Sequence, residues 1–105
     1  MTPEGKVTTE IRKYLKEKSK TGILWFAKIH GGPMQQAGIP DMVVIYRGMV
    51  FWLEIKAPGC CATPLQNATM ARMKAAGGNA FVVRSASEVA DLLKNAESAL
   101  DQQAY

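Results

Sequence analysis

The chain has 105 residues, of which 48% are hydrophobic and 21% charged, with a formal net charge of +4 and a pI near 9.2. This length supports one domain with a modest core and leaves no room for a second domain, and the mixed composition excludes a fibrous or disordered chain. No apolar run approaches the roughly 18 residues of a membrane span, and no signal peptide opens the chain, so we expect an intracellular protein. The basic balance suits an anionic partner such as nucleic acid.

The first predicted element is a helix that begins at Thr2-Pro3-Glu4, with proline in an early helical position, and ends at Thr21-Gly22. Glu10 falls at the edge of its apolar arc, because successive residues turn by about 100° around a helix axis. Two interpretations remain open: a solvated glutamate paired with Lys6 or Lys13, or a carboxylate at the rim of a site beside the core. The arc itself is formed by Val7, Ile11, Tyr14 and Leu15.

A strand rich in aromatic and apolar residues is predicted over residues 24–30, followed by a glycine-rich loop over residues 31–38. Loops beside a reactive centre often carry substrate contacts. Lys28 and His30 are therefore candidate contacts to a phosphate group. His30, the sole histidine, could also shuttle a proton, although a lone histidine at a strand end is more often a polar surface residue.

The centre of the chain reads as a β-hairpin. Two apolar runs, over residues 42–46 and 49–53, are separated by Arg47-Gly48, which is typical of a two-residue primed turn. Such a turn pairs Tyr46 with Met49. Counting back along both strands, it places an aspartate, Asp41, directly opposite a glutamate, Glu54.

This pairing brings charged groups together at one end of the hairpin. Side chains alternate along a strand, so Glu54 and Lys56 share a face, and Asp41 lies about 5 Å from Glu54 across it. Two carboxylates side by side repel unless a cation lies between them, and Mg²⁺ favours such oxygen ligands. Lys56 could then hold the attacking water or neutralise charge at a phosphate. The alternative is an ion-paired strand end that joins Glu54 to Lys56.

A second helix is predicted after the loop at residues 57–62. Thr63-Pro64 and Gln66 form a Thr-x-x-Gln capping box with proline at the first helical position, and Gly77 ends the helix. The cap explains Gln66 without any chemistry. Arg72 and Lys74 on this helix are candidate DNA contacts.

The chain closes with a strand over residues 79–84, whose continuous apolar centre predicts burial on both faces, and a final helix. Ser85-x-x-Glu88 is a second capping box, so Glu88 is expected to cap that helix. Cys60 and Cys61 are adjacent, lack the spacing of a zinc site, and are interpreted as loop thiols. One face of the final helix is formed by Val89, Leu92, Leu93 and Ala96.

The order of these residues resembles a known nuclease family. Pro40-Asp41, twelve further residues and then Glu54-Ile55-Lys56 resemble the PD-(D/E)XK nuclease core. The wider pattern, from about Glu10 to Leu93, is similar to the VRR-NUC family, whose small nucleases occur alone in phages or fused to larger repair enzymes. The other positions that carry the likeness are Gln66, Gly77-Gly78, the strand at 81–84 and Ser87-Glu88.

The resemblance implies an α/β fold of the PD-(D/E)XK type, with element order αβββαβα and a mixed four-stranded sheet flanked by helices. It implies that Asp41, Glu54 and the backbone carbonyl of Ile55 hold Mg²⁺ or Mn²⁺, and that Glu10 completes the site directly or through water. Lys56 would orient the hydrolytic water, and Gln66 would assist near the scissile phosphate.

The resemblance also suggests a substrate. Isolated VRR-NUC domains resemble dimeric enzymes that cut Holliday junctions, which implies a homodimeric endodeoxyribonuclease of DNA repair or recombination acting on four-way junctions. Two alternatives stay open. A flap- or end-processing nuclease would use the same site, and a catalytically silent DNA-binding module would use the fold without the reaction.

Overall fold

The computed structural model of the protein describes residues 1–31 and 37–103. Most of the predicted glycine-rich loop (32–36) and the end of the chain (104–105) lie outside the described residues. The elements follow the predicted αβββαβα order: helix α1 (Pro3–Ser19), strands β1 (Leu24–Lys28), β2 (Met42–Tyr46) and β3 (Met49–Ile55), helix α2 (Pro64–Ala75), strand β4 (Asn79–Val83) and helix α3 (Ala86–Gln103).

The four strands form one mixed sheet in the order β1-β2-β3-β4. Strands β1, β2 and β3 are antiparallel neighbours, and β4 runs parallel to β3 because α2 carries the chain back across the sheet. Arg47 and Gly48 both have positive φ, 51° and 82°, as a type I′ turn requires. Tyr46 pairs with Met49, so the predicted hairpin register is confirmed.

The hydrophobic core lies on one face of the sheet, beneath α1 and α3. Alternate residues of each strand point into it, and the helices contribute apolar residues at the predicted helical spacing. Most of the apolar arcs predicted for α1 and α3 are therefore in the core. Its buried members from β2, β3 and the two helices include Met42, Val44, Tyr46, Phe51, Leu53, Ile55, Val7, Ile11, Leu15, Val89 and Leu93.

Strand β4 is less buried than its apolar sequence predicts. Ala80 and Val83 are buried, whereas Phe81 and Val82 remain half-exposed. The reason is that β4 is an edge strand, so the helices that pack beside it cover it only in part. Among the described helices, none is long and apolar enough to cross a membrane.

Helix α2 covers the opposite face of the sheet over β3 and β4. Thr69 and Met70 are its buried residues. Its first turn has the predicted capping box: the Gln66 N–H donates to Thr63 Oγ1, and the Thr63 N–H donates to Gln66 Oε1. Gly77, with φ 93°, follows the last turn in the left-handed conformation that ends many helices.

The turn that leads into β2 packs closely against α2 at Gly38. Its φ is +85°, and a Cβ atom at this position would lie 2.6 Å from Thr69 Oγ1 and 3.1 Å from Leu65 Cγ. Only glycine combines that backbone conformation with so close an approach. Gly38 therefore fixes the path of the chain just before Asp41.

We expect Gly38→Ala to lower the free energy of unfolding by roughly 2–5 kcal/mol, since left-handed backbone costs about 1–2 kcal/mol and overpacking about 1–3 kcal/mol. Thermal unfolding followed by circular dichroism measures this loss. Gly59→Ala is the matched control, because Gly59 has a φ of +82° with no neighbouring atom within 4 Å. Equal losses in the two variants would show that the contact with α2 does not constrain the turn.

Candidate active site

The two carboxylates lie where β2 and β3 end together. Met42 pairs with Leu53, so Asp41 and Glu54 form the next pair of the same register. Asp41 Oδ2 accepts a hydrogen bond of 2.8 Å from the backbone N–H of Ile55. This bond fixes the Asp41 side chain against β3, beside Glu54.

Glu54 is buried, with only 2% of its surface exposed. Its Oε2 accepts from Gln66 Nε2 at 3.2 Å and lies 3.7 Å from Lys56 Nζ. Its Oε1 has no hydrogen-bond partner among the described residues. Burial, and after it the adjoining carboxylate of Asp41, raises the pKa of Glu54 from 4.5 to about 8, against the opposing effect of Lys56.

This pKa describes the protein without a bound ion. Two ionised carboxylates are acceptors only, so neither can donate a hydrogen bond to the other, and a proton or a cation has to relieve their repulsion. A proton on Glu54 therefore takes the place that a cation would otherwise occupy between the two groups.

Gln66 joins the cap of α2 to the carboxylate pair. Its Oε1 accepts from the Thr63 N–H at 2.9 Å, which turns Nε2 towards Glu54. The sequence left a choice between a capping residue and a site residue. In the structure, the same amide does both, because each end of it has a different partner.

The carbonyl of Ile55 is a further oxygen atom at this end of the hairpin. Along an antiparallel ladder, pairs of residues that exchange backbone hydrogen bonds alternate with pairs that do not. Counting on from Met42 and Leu53, the next position at which β2 and β3 would exchange such bonds is Pro40 opposite Ile55. Proline has no N–H to offer. The ladder therefore supplies no β2 donor for the Ile55 carbonyl, and the Ile55 N–H is taken by Asp41 instead.

The oxygen atoms of this site fit a hard divalent cation. The two carboxylates and the Ile55 carbonyl are oxygen ligands, which suit Mg²⁺ or Mn²⁺, and the unpartnered Oε1 of Glu54 needs a cation or a donor. Within residues 1–31 and 37–103, no group of three or more His, Cys, Asp or Glu side chains is placed to hold a metal ion. Water and substrate would have to supply the remaining ligands, as is usual for Mg²⁺.

On helix α1, the charge of Glu4 rather than that of Glu10 acts on the carboxylate of Glu54. The negative charge of Glu4 contributes to the raised pKa of Glu54. Glu4 lies one turn before Val7, so it continues the buried stripe of α1 towards the end of the sheet, although its own side chain is exposed. The helical spacing back from Val7 and Ile11 was a signal that could have identified it.

Glu10, by contrast, precedes the buried Ile11 by one residue and is exposed. In the described part of the chain, it makes no hydrogen bond or ion pair with any other site residue. The structure thus does not bring Glu10 into the group formed by Asp41, Glu54 and Lys56. The role of Glu10 at the metal site stays a prediction, and Glu4 is a second candidate on the same helix.

The four predicted DNA contacts are all exposed. Lys28 and His30 lie at the end of β1, next to the segment that carries Asp41. Arg72 lies on α2 over the sheet face that carries the carboxylates, whereas Lys74 is turned towards β4. Their exposure permits contact with DNA but does not by itself assign it.

Sequence reasoning missed Arg84, which anchors the loop between β3 and α2. Its guanidinium donates two hydrogen bonds, of 3.0 and 2.8 Å, to the carbonyl of Cys60. Cys60 and Cys61 are free and exposed, as loop thiols should be. The anchored loop joins Lys56 to the helix that carries Gln66, so it fixes their relative position.

The raised pKa of Glu54 predicts how stability depends on pH without a metal ion. The folded protein binds a proton more tightly than the unfolded chain, so stability is highest below about pH 4.5 for this group and falls until about pH 8. Glu54→Gln removes the charge and can still bond Gln66 and Asp41. In EDTA at pH 9, we expect the variant to be more stable than the wild type by on the order of a few kcal/mol.

Thermal unfolding of both proteins at pH 5 and pH 9 tests this expectation. The wild type should lose stability between the two values relative to the variant. A variant that is less stable than the wild type at pH 9 would show that ionised Glu54 is not electrostatically costly in the fold.

Comparison with known proteins places this geometry in a family. A solved structure described as a "VRR_NUC domain" superposes with a TM-score of 0.70 and 30% identical residues, over 90% of this chain and 97% of the other. Neither the family models nor the curated proteins include a match. With that identity over nearly the whole of both chains, and with the mixed sheet and helices of a PD-(D/E)XK core, this chain belongs to the VRR-NUC family.

Proposed function

We propose that the protein is a divalent-metal-dependent endodeoxyribonuclease that hydrolyses phosphodiester bonds. Membership of the VRR-NUC family supports a nuclease that acts on DNA. The observation that carries the metal dependence is the buried Glu54 beside the half-buried Asp41, with Glu54 Oε1 without a partner among the described residues. A fold without this reaction would gain nothing from two adjoining carboxylates.

Asp41, Glu54 and the carbonyl of Ile55 are the groups that would hold Mg²⁺ or Mn²⁺. The bound ion would act as a Lewis acid on the phosphate and lower the pKa of a bound water. These ligands are preorganised before any ion binds. The Ile55 N–H fixes Asp41 and the Gln66 amide fixes Glu54, so little side-chain freedom is lost on binding.

Lys56 supplies the positive group beside these ligands. Its side chain is only 14% exposed, and its ammonium lies 3.7 Å from Glu54. Three N–H donors on a constrained chain can hold the attacking water with its lone pair directed at phosphorus, or contact a non-bridging phosphate oxygen. A cation there also offsets the negative charge that accumulates as the bond to the leaving oxygen breaks.

The proposed substrate is a branched DNA, with the four-way junction first. This part of the proposal rests on the resemblance to dimeric junction-cutting enzymes, supported by the net charge of +4. A two-fold homodimer would present two equivalent sites to a junction of matching symmetry. A flap- or end-processing nuclease would use the same residues on a different branched substrate.

Cleavage of labelled four-way junction, flap and linear duplex DNA in Mg²⁺ or Mn²⁺ tests the activity and the substrate together. We expect paired symmetric nicks in the junction, with the reaction slowed roughly 100-fold or more in Asp41→Asn and in Lys56→Met. Both substitutions nearly preserve side-chain volume. Asp41→Asn also keeps an oxygen that can accept the Ile55 N–H.

The variants should retain the circular dichroism and the DNA affinity of the wild type, which separates a lost reaction from a lost fold. Cutting confined to flaps or ends would keep the site and overturn the junction assignment. Binding of all three DNAs without cutting in either metal would favour a silent DNA-binding module. Light scattering with and without junction DNA tests the homodimer.

The contribution of α1 is tested by a matched pair of substitutions, Glu4→Gln and Glu10→Gln. Both glutamates are exposed residues of one helix, but of the two it is Glu4 whose charge raises the pKa of Glu54. We expect Glu4→Gln to weaken cleavage or metal affinity by about 10- to 100-fold, as the loss of a supporting carboxylate does, and Glu10→Gln to leave both unchanged. Metal titrations of cleavage and calorimetry measure the two effects. The opposite ranking would return the role to Glu10.

A further inference from the structure

A pocket of about 360 Å³ lies beside the carboxylates and has no part in the proposed chemistry. Its volume is within the range of ligand pockets, about 300–1,000 Å³. It is formed between the sheet, the turn before β2 and helix α2. Its lining is Ile39, Trp52, Thr69, Arg72, Met73 and Ala76.

The pocket and the carboxylate pair are built from the same three segments. Trp52 precedes Glu54 by two residues, so both side chains lie on one face of β3, about 7 Å apart. Ile39 precedes Asp41 by two residues on the turn before β2. On α2, Met73 lies about two turns beyond Gln66 on the same side of the helix. A DNA strand whose phosphate reached Glu54 would therefore carry its adjoining nucleotide past this pocket.

The lining suits a nucleobase. Trp52 is half-buried and offers an aromatic surface, Met73 adds a polarisable thioether, and the other walls are mainly aliphatic. Arg72 is the only charged residue of the lining, and none of the ion pairs within residues 1–31 and 37–103 includes it. A guanidinium without an acidic neighbour can stack on a base or contact a phosphate.

A base that is paired within a duplex cannot enter such a pocket, because it is stacked on both faces and bonded along its edge. Unstacking and unpairing a base costs a few kcal/mol, and least where the base is already unpaired. The pocket would consequently favour DNA in which the nucleotide next to the cut is unpaired.

We propose that this pocket, named here the base pocket and defined by the six lining residues above, binds an unpaired nucleobase adjacent to the scissile phosphate. The inference rests on the proposed nuclease function and extends it to the substrate. Gaps and flaps supply such a base, and a four-way junction supplies one where a base pair at its crossover opens, whereas continuous duplex does not. The base pocket thus selects DNA with an opened or unpaired position through a single nucleotide rather than through the overall shape of a junction.

The test begins by mapping the cleaved phosphate in the preferred substrate. The adjoining nucleotide is then made unpaired, paired or abasic, and each DNA is cut by the wild type and by Trp52→Ala. We expect the abasic site to slow the wild type about 5- to 150-fold relative to the unpaired base, the range of base stacking on an aromatic side chain. Trp52→Ala should show the same loss on the unpaired base and no further loss on the abasic DNA, because both changes remove one contact.

Trp25→Ala is the matched control. Trp25 is a tryptophan on the same sheet face, 57% exposed and two strands away on β1, and it should keep the wild-type preference. Trp52→Phe, which retains an aromatic ring, and Arg72→Gln, on the surface of α2, cover the case in which Trp52→Ala fails to fold. Losses from the abasic site and from Trp52→Ala that multiply would overturn the base pocket, as would an abasic site without effect.

Binding separates this inference from the nuclease proposal. Asp41→Asn protein is titrated with DNA that carries 2-aminopurine at the unpaired position, whose fluorescence is quenched by stacking. Quenching that depends on Trp52, in a protein whose wild type cuts nothing, would keep the base pocket and overturn the nuclease. DNA cleavage that does not depend on Trp52 would keep the nuclease and overturn the base pocket. An apolar side chain of a protein partner would then be the occupant that the pocket fits.

Discussion

The meeting of Asp41 with Glu54 is the constraint on which the rest of the site depends. Residues on a strand alternate between faces, so a slip of one residue in the β2–β3 register would turn Glu54 into the apolar core. The type I′ turn at Arg47-Gly48 prevents this slip, because its two residues with positive φ fix which residues pair. A turn at the far end of the hairpin therefore determines that two carboxylates adjoin at the near end.

The end of the hairpin is also built to leave oxygen atoms available. Pro40 has no N–H, so the β2–β3 ladder supplies no donor to the Ile55 carbonyl. The Ile55 N–H is satisfied by the Asp41 side chain, which is fixed by the same bond. On the other side of the pair, the capping box of α2 holds Gln66 towards Glu54. Secondary-structure capping and site geometry are thus provided by the same hydrogen bonds, and disturbing one disturbs the other.

Much of this arrangement could be predicted because it is encoded locally. The turn sequence fixes the hairpin register, the Thr-x-x-Gln pattern fixes the cap, and apolar spacing identifies the core faces of α1 and α3. Which acidic residue of α1 acts on the site depends instead on how α1 is rotated against the sheet, which tertiary packing decides, so the effect of Glu4 on Glu54 could not be predicted. Phe81 is likewise half-exposed because β4 lies at the edge of the sheet, a position that the apolar sequence of the strand does not reveal.

Long-range contacts could not be predicted from the sequence for a related reason. The bonds from Arg84 to the Cys60 carbonyl join positions 24 residues apart, and no periodic pattern marks either of them. The base pocket joins Trp52 to α2 across a crossover connection. Such contacts follow from the crossing of α2 over β3 and β4, a property of the assembled sheet and of no single segment.

The carboxylate pair is the place where the needs of folding and of chemistry diverge. A buried glutamate beside an aspartate is a poor choice for stability, and the pKa of Glu54 near 8 records this cost. The remaining network holds the pair in position regardless: Lys56 lies on one side, Gln66 on the other, and the Ile55 N–H fixes Asp41. A divalent ion would reverse the sign of the interaction, because it favours the ionised form of both carboxylates. Local sequence and global fold agree nearly everywhere else in this chain, so their disagreement at Glu54 is itself a reason to place the function there.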